Sequence, residues 1–405
     1  LVTMTYEANM RTFTGVSPEC ATAVLEGLGA DAVGVNCSLG PDELLPIMEK
    51  ICANTTLPVI AKPNAGLPDP VTNKFNVTPE QFAQSAVKLA ELGVKIFGGC
   101  CGTTPQHISA LVNALEDMEY VQQEIERKPV VCSAVKCVEI NQPRVIGERI
   151  NPTGKKRFKQ ALAENDIGYI LGQAIEQINA GAEILDVNVG SPEIDEVEMM
   201  KSAVKAIQSV CDAPLQLDST RPDVLEAGLR VYNGKPIVNS VNAEDESLDT
   251  ILPLVKKYGA AVVGLTLDKD GIPKTAEGRF RLAEKILDKA IEYGIPKEDI
   301  FIDCLTLTAS AEQEAAMVTL EALNRVKKEL GLKTVLGVSN ISFGLPNRET
   351  ITRTFLTMAL HSGLDLPIIN PNIDTIIGAV RAYRLLACYD KNSAEFISVY
   401  GQETA

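Results

Sequence analysis

The chain has 405 residues, 45% hydrophobic and 22% charged, with a net charge of −15 at pH 7. That length suits two domains of ordinary size, and the acidic balance leaves no basic stripe to neutralise phosphates, which argues against a nucleic-acid partner. No apolar run reaches the ~18 residues of a membrane span, and ten cysteines are too sparse for a disulfide scaffold, so a reducing, cytoplasmic setting is expected.

Short apolar runs alternate with amphipathic ones from the start. Strands are expected at Leu1–Thr5, Ala32–Asn36, Val59–Lys62 and Lys95–Gly98, with helices at Pro18–Leu28, Pro41–Ala53 and Pro79–Leu92 between them. Each helix opens on a Pro preceded by Ser, Gly or Thr, a start signal because the missing N–H is unused in the first turn. Such alternation builds parallel βα units. Residues 1–115 hold only four of them, too few to close a barrel. With Leu1 where an initiating Met would stand, the expectation is a partial (β/α)8 barrel, either truncated at its start from a longer product or completed by another copy of itself. Glu116–Lys128 reads as a charged helix, and 116–143 as a linker.

From Arg144 to Tyr400 the alternation gives a full count. Strands are expected at Val145–Gly147, Ile184–Val187, Leu215–Leu217, Ile237–Val241, Ala261–Leu267, Ile300–Ile302, Thr334–Val338 and Pro367–Ile369. They are short and apolar on both faces, as in a sheet covered by helices. Eight such units in ~250 residues, without the Gly-rich first turn of a doubly wound sheet, predict an α/β fold containing a (β/α)8 TIM barrel over 144–400.

Active sites of such barrels lie at the C-terminal strand ends. Those ends carry Glu148 with Arg149 and Asn151, Asp186 with Asn188, Asp218 with Ser219, Asn239 with Ser240, Asp268, Asp303, Ser339 with Asn340, and Asn370. Any one of these could be a turn residue. As a ring of carboxylates and carboxamides they suit a flat heterocycle rich in donors, such as an amino-pyrimidinone.

The strings V-I-G-E-R-I-N, L-D-V-N-V-G, L-Q-L-D-S-T, I-V-N-S-V-N, F-I-D-C-L and L-G-V-S-N-I-S resemble, in order, the methyltetrahydrofolate:corrinoid methyltransferase family. The resemblance covers about Arg144 to Tyr400. It implies that Asp218, Asn239 and Asp303 bind the pterin ring, that Asn340 hydrogen-bonds near the methyl-bearing N5, and that Glu148 and Arg348 make further folate contacts. Asp186 and Asn188 would face the pterin. A methyl group leaves an amine readily only when N5 is protonated. Because both His107 and His361 fall on expected helices, the proton is expected from solvent or a water chain, with the Asn340 side-chain oxygen accepting a hydrogen bond from protonated N5. The nucleophile would be a cob(I)alamin-type corrinoid. No D-x-H-x-x-G cobalamin motif surrounds either His, so cobalamin would come from a separate domain or corrinoid protein. Ser219-Thr220-Arg221-Pro222 is also similar to a loop of dihydropteroate synthases, but follows the third strand here rather than the second.

Three cysteines fall at strand ends of the first segment: Cys37 in G-V-N-C-S-L-G, and Cys100 and Cys101 in G-G-C-C-G-T-T-P. Three thiolates and one open position make a catalytic zinc site, and zinc would activate a thiol substrate. Residues 1–115 resemble the zinc-dependent homocysteine S-methyltransferase family, which implies Cys37, Cys100 and Cys101 as metal ligands; Asn36 and Asn64 are weaker substrate contacts. Together the two segments resemble the amino-terminal half of the cobalamin-dependent methionine synthase family. The implied activity is methyl transfer from 5-methyltetrahydrofolate to a corrinoid and, in a full-length product, onward to homocysteine. The rival expectations are a methyltransferase serving a separate corrinoid iron–sulfur protein, and a folate-binding module without turnover.

Overall fold

The computed structural model describes residues 1–119 and 125–401. The chain divides into two units, one of Leu1–Lys128 with Ala134–Cys137 and one of Pro129–Ser133 with Val138–Ala405.

In the first unit, β1 (Val2–Met4), β2 (Val33–Asn36), β3 (Val59–Lys62) and β4 (Val94–Phe97) form one parallel sheet in chain order. Its apolar side, with Val33, Val35, Val59 and Ala61, packs on Ile47, Met48 and Ile51 of the helix Leu45–Cys52. Two of the three start signals hold, while the helix expected from Pro41 begins at Leu45 after a turn. Ser17 caps the helix Pro18–Gly27 by accepting from Cys20 N at 3.3 Å, and Thr78 and Gln81 form a reciprocal box at the start of Pro79–Glu91. Such caps are each worth ~1 kcal/mol. The helix expected at Glu116–Lys128 is corrected. The helix before it ends at Leu115, and Glu116–Glu119 and Ile125–Lys128 lie in no helix, while 120–124 fall outside the described residues.

The second unit opens with a two-stranded sheet, β5 (Val130–Cys132) and β6 (Cys137–Glu139), inside the stretch that reads as linker. Then β7 (Ile146–Ile150), β8 (Ile184–Asn188), β9 (Leu215–Asp218), β10 (Ile237–Asn242), β11 (Ala261–Leu265), β12 (Ile300–Asp303), β13 (Lys333–Gly337) and β14 (Leu366–Ile369) close into an all-parallel barrel in which β14 pairs with β7. Alternate residues face opposite ways. Leu185, Leu215, Leu217, Val262 and Ile302 meet the outer helices, while Ile146, Ile184, Ile237, Phe301, Val335 and Leu366 fill the lower interior. Val131, Val138 and Ile140 join that interior layer, so the supposed linker stoppers the barrel floor. Among the described residues no helix is long and apolar enough to cross a membrane.

At the same end, Lys235 N and O exchange hydrogen bonds with Cys132, and Lys235 Nζ lies 2.7 Å from Asp299 Oδ1, with the two side chains only 4% and 3% exposed. A buried pair contributes little over an apolar replacement, but removing one partner strands a charge. Lys235→Met should therefore cost on the order of 3–5 kcal/mol in urea unfolding, and Lys235→Met with Asp299→Leu should recover most of it. Equal stability of the single and double variants would contradict this.

Candidate functional site

Moving two residues further up each strand from the apolar interior layer reaches the mouth of the barrel. Glu148 follows Ile146, Asp186 follows Ile184, Asn239 follows Ile237 and Asp303 follows Phe301, all on the inward face. With Asp218 at the end of β9, Asn340 in the turn after β13 and Arg348 at the start of the helix Arg348–Ser362, they line one cavity of about 680 Å³.

Arg149, Lys155 and Arg348 line the cavity beside Glu148, whereas Asp186 and Asp218 have amide partners. Asp186 is 3% exposed, and its Oδ1 accepts from Gln216 Nε2 at 2.7 Å and from Asn239 Nδ2 at 3.5 Å. Burial and the neighbouring Asp218 carboxylate push Asp186 well above the usual carboxylate range. Burial raises Asp218 to about 6, opposed by the hydrogen bond from Asn188 Nδ2 at 2.9 Å. Burial raises Asp303 to about 7 against the Leu305 N–H, 2.7 Å from Oδ1, and the charge of Arg279. Glu148 is also raised by burial, against a Ser339 hydrogen bond and the cations Lys155, Arg149 and Arg348. Asp218 and Asp303, at about 6 and about 7, change protonation near neutral pH, and Asp186 and Glu148 are shifted in the same direction. They can accept from a donor-rich ligand as carboxylates or donate as acids.

Arg348 stacks on Phe343 at 4.3 Å and donates from Nη2 to Ser339 O and from Nε to Ser342 Oγ, each at 3.1 Å, bracing the turn that carries Asn340. A Cβ on Gly337 would sit 3.1 Å from Asn340 Nδ2, so the glycine gives that amide its room.

Asn188 does not line the cavity and instead supports Asp218 from behind. Asp268, Ser219 and Ser240 are not in the lining either; Asp268 is a turn residue, accepting from Asp270 N and exchanging backbone bonds with Gly271. Arg149, Asn151, Ser339 and Asn370 do line it. Three contributors went unread in the sequence. Lys155 Nζ donates to Glu148 O at 2.9 Å, Phe343 carries the stacked guanidinium, and Gln216 is wholly buried beneath Asp186 with its Oε1 unpartnered. Only Gln216 left a signal, a polar residue in the run L-Q-L-D.

The cysteine cluster lies at the matching ends of the four-stranded sheet. Cys37 follows β2, and Cys100 and Cys101 follow β4. Sγ of Cys101 is 3.6 Å from that of Cys37 and 3.9 Å from that of Cys100, and all three sulfurs lie within 4.8 Å of one another. Tetrahedral zinc with sulfurs ~2.3 Å away spaces them by about 3.8 Å, so the cluster fits the ion. Asn64 is buried and accepts from Cys101 N at 3.0 Å, fixing the loop. Gly102 has φ +79°, and a Cβ there would strike the Phe75 ring, so glycine alone closes this turn. The Ser38 N–H holds the Cys37 thiol below its ordinary pKa, and hydrogen bonding to Cys37 raises Cys101 to about 11. The first thiolate is thus stabilised before any metal binds. His107, by contrast, is a buried helix-start residue bonded to Thr104 and to Val77 O.

The pterin binding enzyme family profile matches residues 147–370, and the homocysteine S-methyltransferase profile matches residues 1–115. The chain is 34% identical over 386 residues to the methionine synthase of Mycobacterium tuberculosis, which covers 91% of this chain and 32% of that protein. With the Mycobacterium leprae methionine synthase the identity is 34% over 393 residues, 91% of this chain and 33% of that one. The chain thus spans about a third of the length of these relatives. In fold it is similar to the dihydropteroate synthases of Xanthomonas albilineans (TM-score 0.52, 19% identity, 65% of this chain and 99% of that one) and Stenotrophomonas maltophilia (TM-score 0.51, 15% identity, 64% and 98%). With its barrel matched almost from end to end, the chain belongs to the pterin binding enzyme family.

Proposed function

We propose that the barrel binds 5-methyltetrahydrofolate and presents its N5-methyl group to a corrinoid carried by a separate domain or protein, as one half of methionine synthesis. The observation that carries this reading is the set Glu148, Asp186, Asp218, Asn239, Asp303 and Asn340 around one cavity. Asp218, Asn239 and Asp303 would take the donor edge of the pterin, with Asp186 holding Asn239 and Asn188 holding Asp218 in place. Asn340 would accept a hydrogen bond from protonated N5 through its side-chain oxygen, making the nitrogen a better leaving group. The proton would enter from solvent through the open mouth, and the titrating carboxyls of the wall provide further places to hold it. The corrinoid would supply the nucleophile for the methyl group.

Cys37, Cys100 and Cys101 would hold zinc, whose open fourth position would take the homocysteine thiol and lower its pKa. This trio favours the methionine synthase reading over a methyltransferase that serves a corrinoid iron–sulfur protein, which has no use for a thiol-activating site.

Isothermal titration with 5-methyltetrahydrofolate, followed by methyl transfer to reduced cobalamin read from its absorbance, tests the reading. Binding without transfer would leave only a folate-binding module. Asp218→Asn and Asp303→Asn should each lose on the order of 1.5–3 kcal/mol, or roughly ten-fold or more in affinity. Wild-type binding in both would remove them from the site. Asn340→Ala should lower kcat more than it weakens binding, since its bond strengthens only as N5 becomes charged; an equal loss in affinity with kcat intact would count against that role. Zinc should bind at about one ion per chain, and Cys37→Ser, Cys100→Ser and Cys101→Ser should each reduce retained metal after dialysis. Full retention in all three would place the metal elsewhere.

A further inference from the structure

We propose that Arg279, on the outer helix Ala276–Glu292, is a positioning residue for pterin recognition: it locks the backbone after β12 so that the Asp303 carboxylate is held in the cavity. This rests on the reading of the cavity as a pterin site.

Arg279 is 1% exposed, and no carboxylate lies within ion-pair distance of it among the described residues. A guanidinium so placed is retained only if its donors are matched. The two N–H groups of Nη1 are shared among Cys304 O at 2.8 Å, Leu305 O at 2.9 Å and Thr319 Oγ1 at 2.7 Å, and Nε donates to Pro273 O at 3.0 Å. Two of those carbonyls belong to the residues directly after Asp303. Leu305 has φ +62°, a left-handed conformation that a leucine keeps only when its surroundings impose it. Its N–H points at Asp303 Oδ1, and its carbonyl is held from the other side by Arg279 and, at 2.9 Å, by the Thr319 hydroxyl. The peptide that steadies the carboxylate is therefore clamped by a side chain outside the cavity.

The same guanidinium is the charged group acting on Asp303, and it favours the carboxylate against the burial that raises it. Glu312 faces Arg279, the buried Cys304 thiol adjoins Asp303, and Glu148, Asp186 and Asp218 share the cavity. Arg279 thus has two separable effects, one of geometry and one of charge. Lysine keeps the charge but not the fork.

The test is titration of the full chain with 5-methyltetrahydrofolate from pH 5.5 to 8.5, with folding checked by circular dichroism and thermal melting. Wild-type affinity should rise with pH through a midpoint near 7 as Asp303 ionises and level off about a unit higher, and Asp303→Asn should remove that step and leave only the one near 6 that belongs to Asp218. Arg279→Lys should bind about ten-fold more weakly with the midpoint unmoved. Arg279→Met should bind more weakly still, with its midpoint displaced to higher pH. Should Arg279→Met fail to fold, Arg279→Lys and Thr319→Val decide, the latter with a smaller loss and an unmoved midpoint. Folded Arg279→Lys and Thr319→Val proteins with wild-type affinity would overturn the proposal. A folded wild type that binds no folate at any pH would instead overturn the pterin reading itself.

Discussion

A closed parallel barrel has an inside that its strands can only fill by alternation, and this one constraint shapes the rest of the second unit. The register that seats Ile146, Ile184, Ile237 and Phe301 in the lower interior also turns Glu148, Asp186, Asn239 and Asp303 inward at the mouth. Polar groups placed there sit on top of the apolar interior layer and lose water. Their raised pKa values are the cost of that placement, each with burial as its largest cause. The fold accommodates them with neutral donors, namely Gln216 and Asn239 on Asp186, Asn188 on Asp218 and the Leu305 N–H on Asp303. A full ion pair would lock each carboxylate in one charge state. Amide partners leave it able to titrate or to meet a ligand's donors.

The cysteine cluster solves a different problem with the same topology. Strand ends of the four-stranded sheet bring Cys37 within reach of Cys100 and Cys101 across 64 residues of chain. Thiols at a rim need less shielding than carboxyls in a barrel, and Cys101 is exposed. Control comes from backbone instead. The Ser38 N–H stabilises one thiolate, Asn64 pins the Cys101 amide, and Gly102 supplies the turn.

Much of this was legible because strand ends are marked by a change from apolar to polar residues. The same change misplaced the boundaries. The expected β8, β9 and β12 stop at Val187, Leu217 and Ile302, whereas pairing runs on through Asn188, Asp218 and Asp303. The ladder is made by backbone and does not stop where hydrophobicity does. The stretch 129–140 resembled a linker because its apolar residues, Val131, Val138 and Ile140, are few and complete a core built by other strands. Lys155 and Arg279 left no signal at all. An Arg in the first turn of an amphipathic helix reads as a solvated residue, and only the packed structure reveals that its acceptors are the carbonyls after Asp303. Asp268 errs in the other direction, a strand-end carboxylate in sequence and a turn in space.

The distribution of charge within the cavity bears on how a folate would be oriented. The chain carries a net charge of −15, yet Arg149, Lys155 and Arg348 all line this one cavity. The carboxyls Asp186, Asp218 and Asp303 are held on the barrel strands, and Asp186 and Asp303 are almost wholly buried. Arg149 ends its side of β7, and Lys155 and Arg348 lie beyond strand ends. A folate has a head rich in N–H donors and a tail that ends in carboxylates. Acceptors on the strands and cations at the rim match those two ends in one direction only. The reverse orientation would set the tail carboxylates against Asp186 and Asp218 in a desolvated space, where like charges repel most strongly. Orientation of the proposed ligand would thus be selected by what the cavity repels as much as by what it binds, and the deep end that would receive the pterin is the end braced by Gln216 and Arg279.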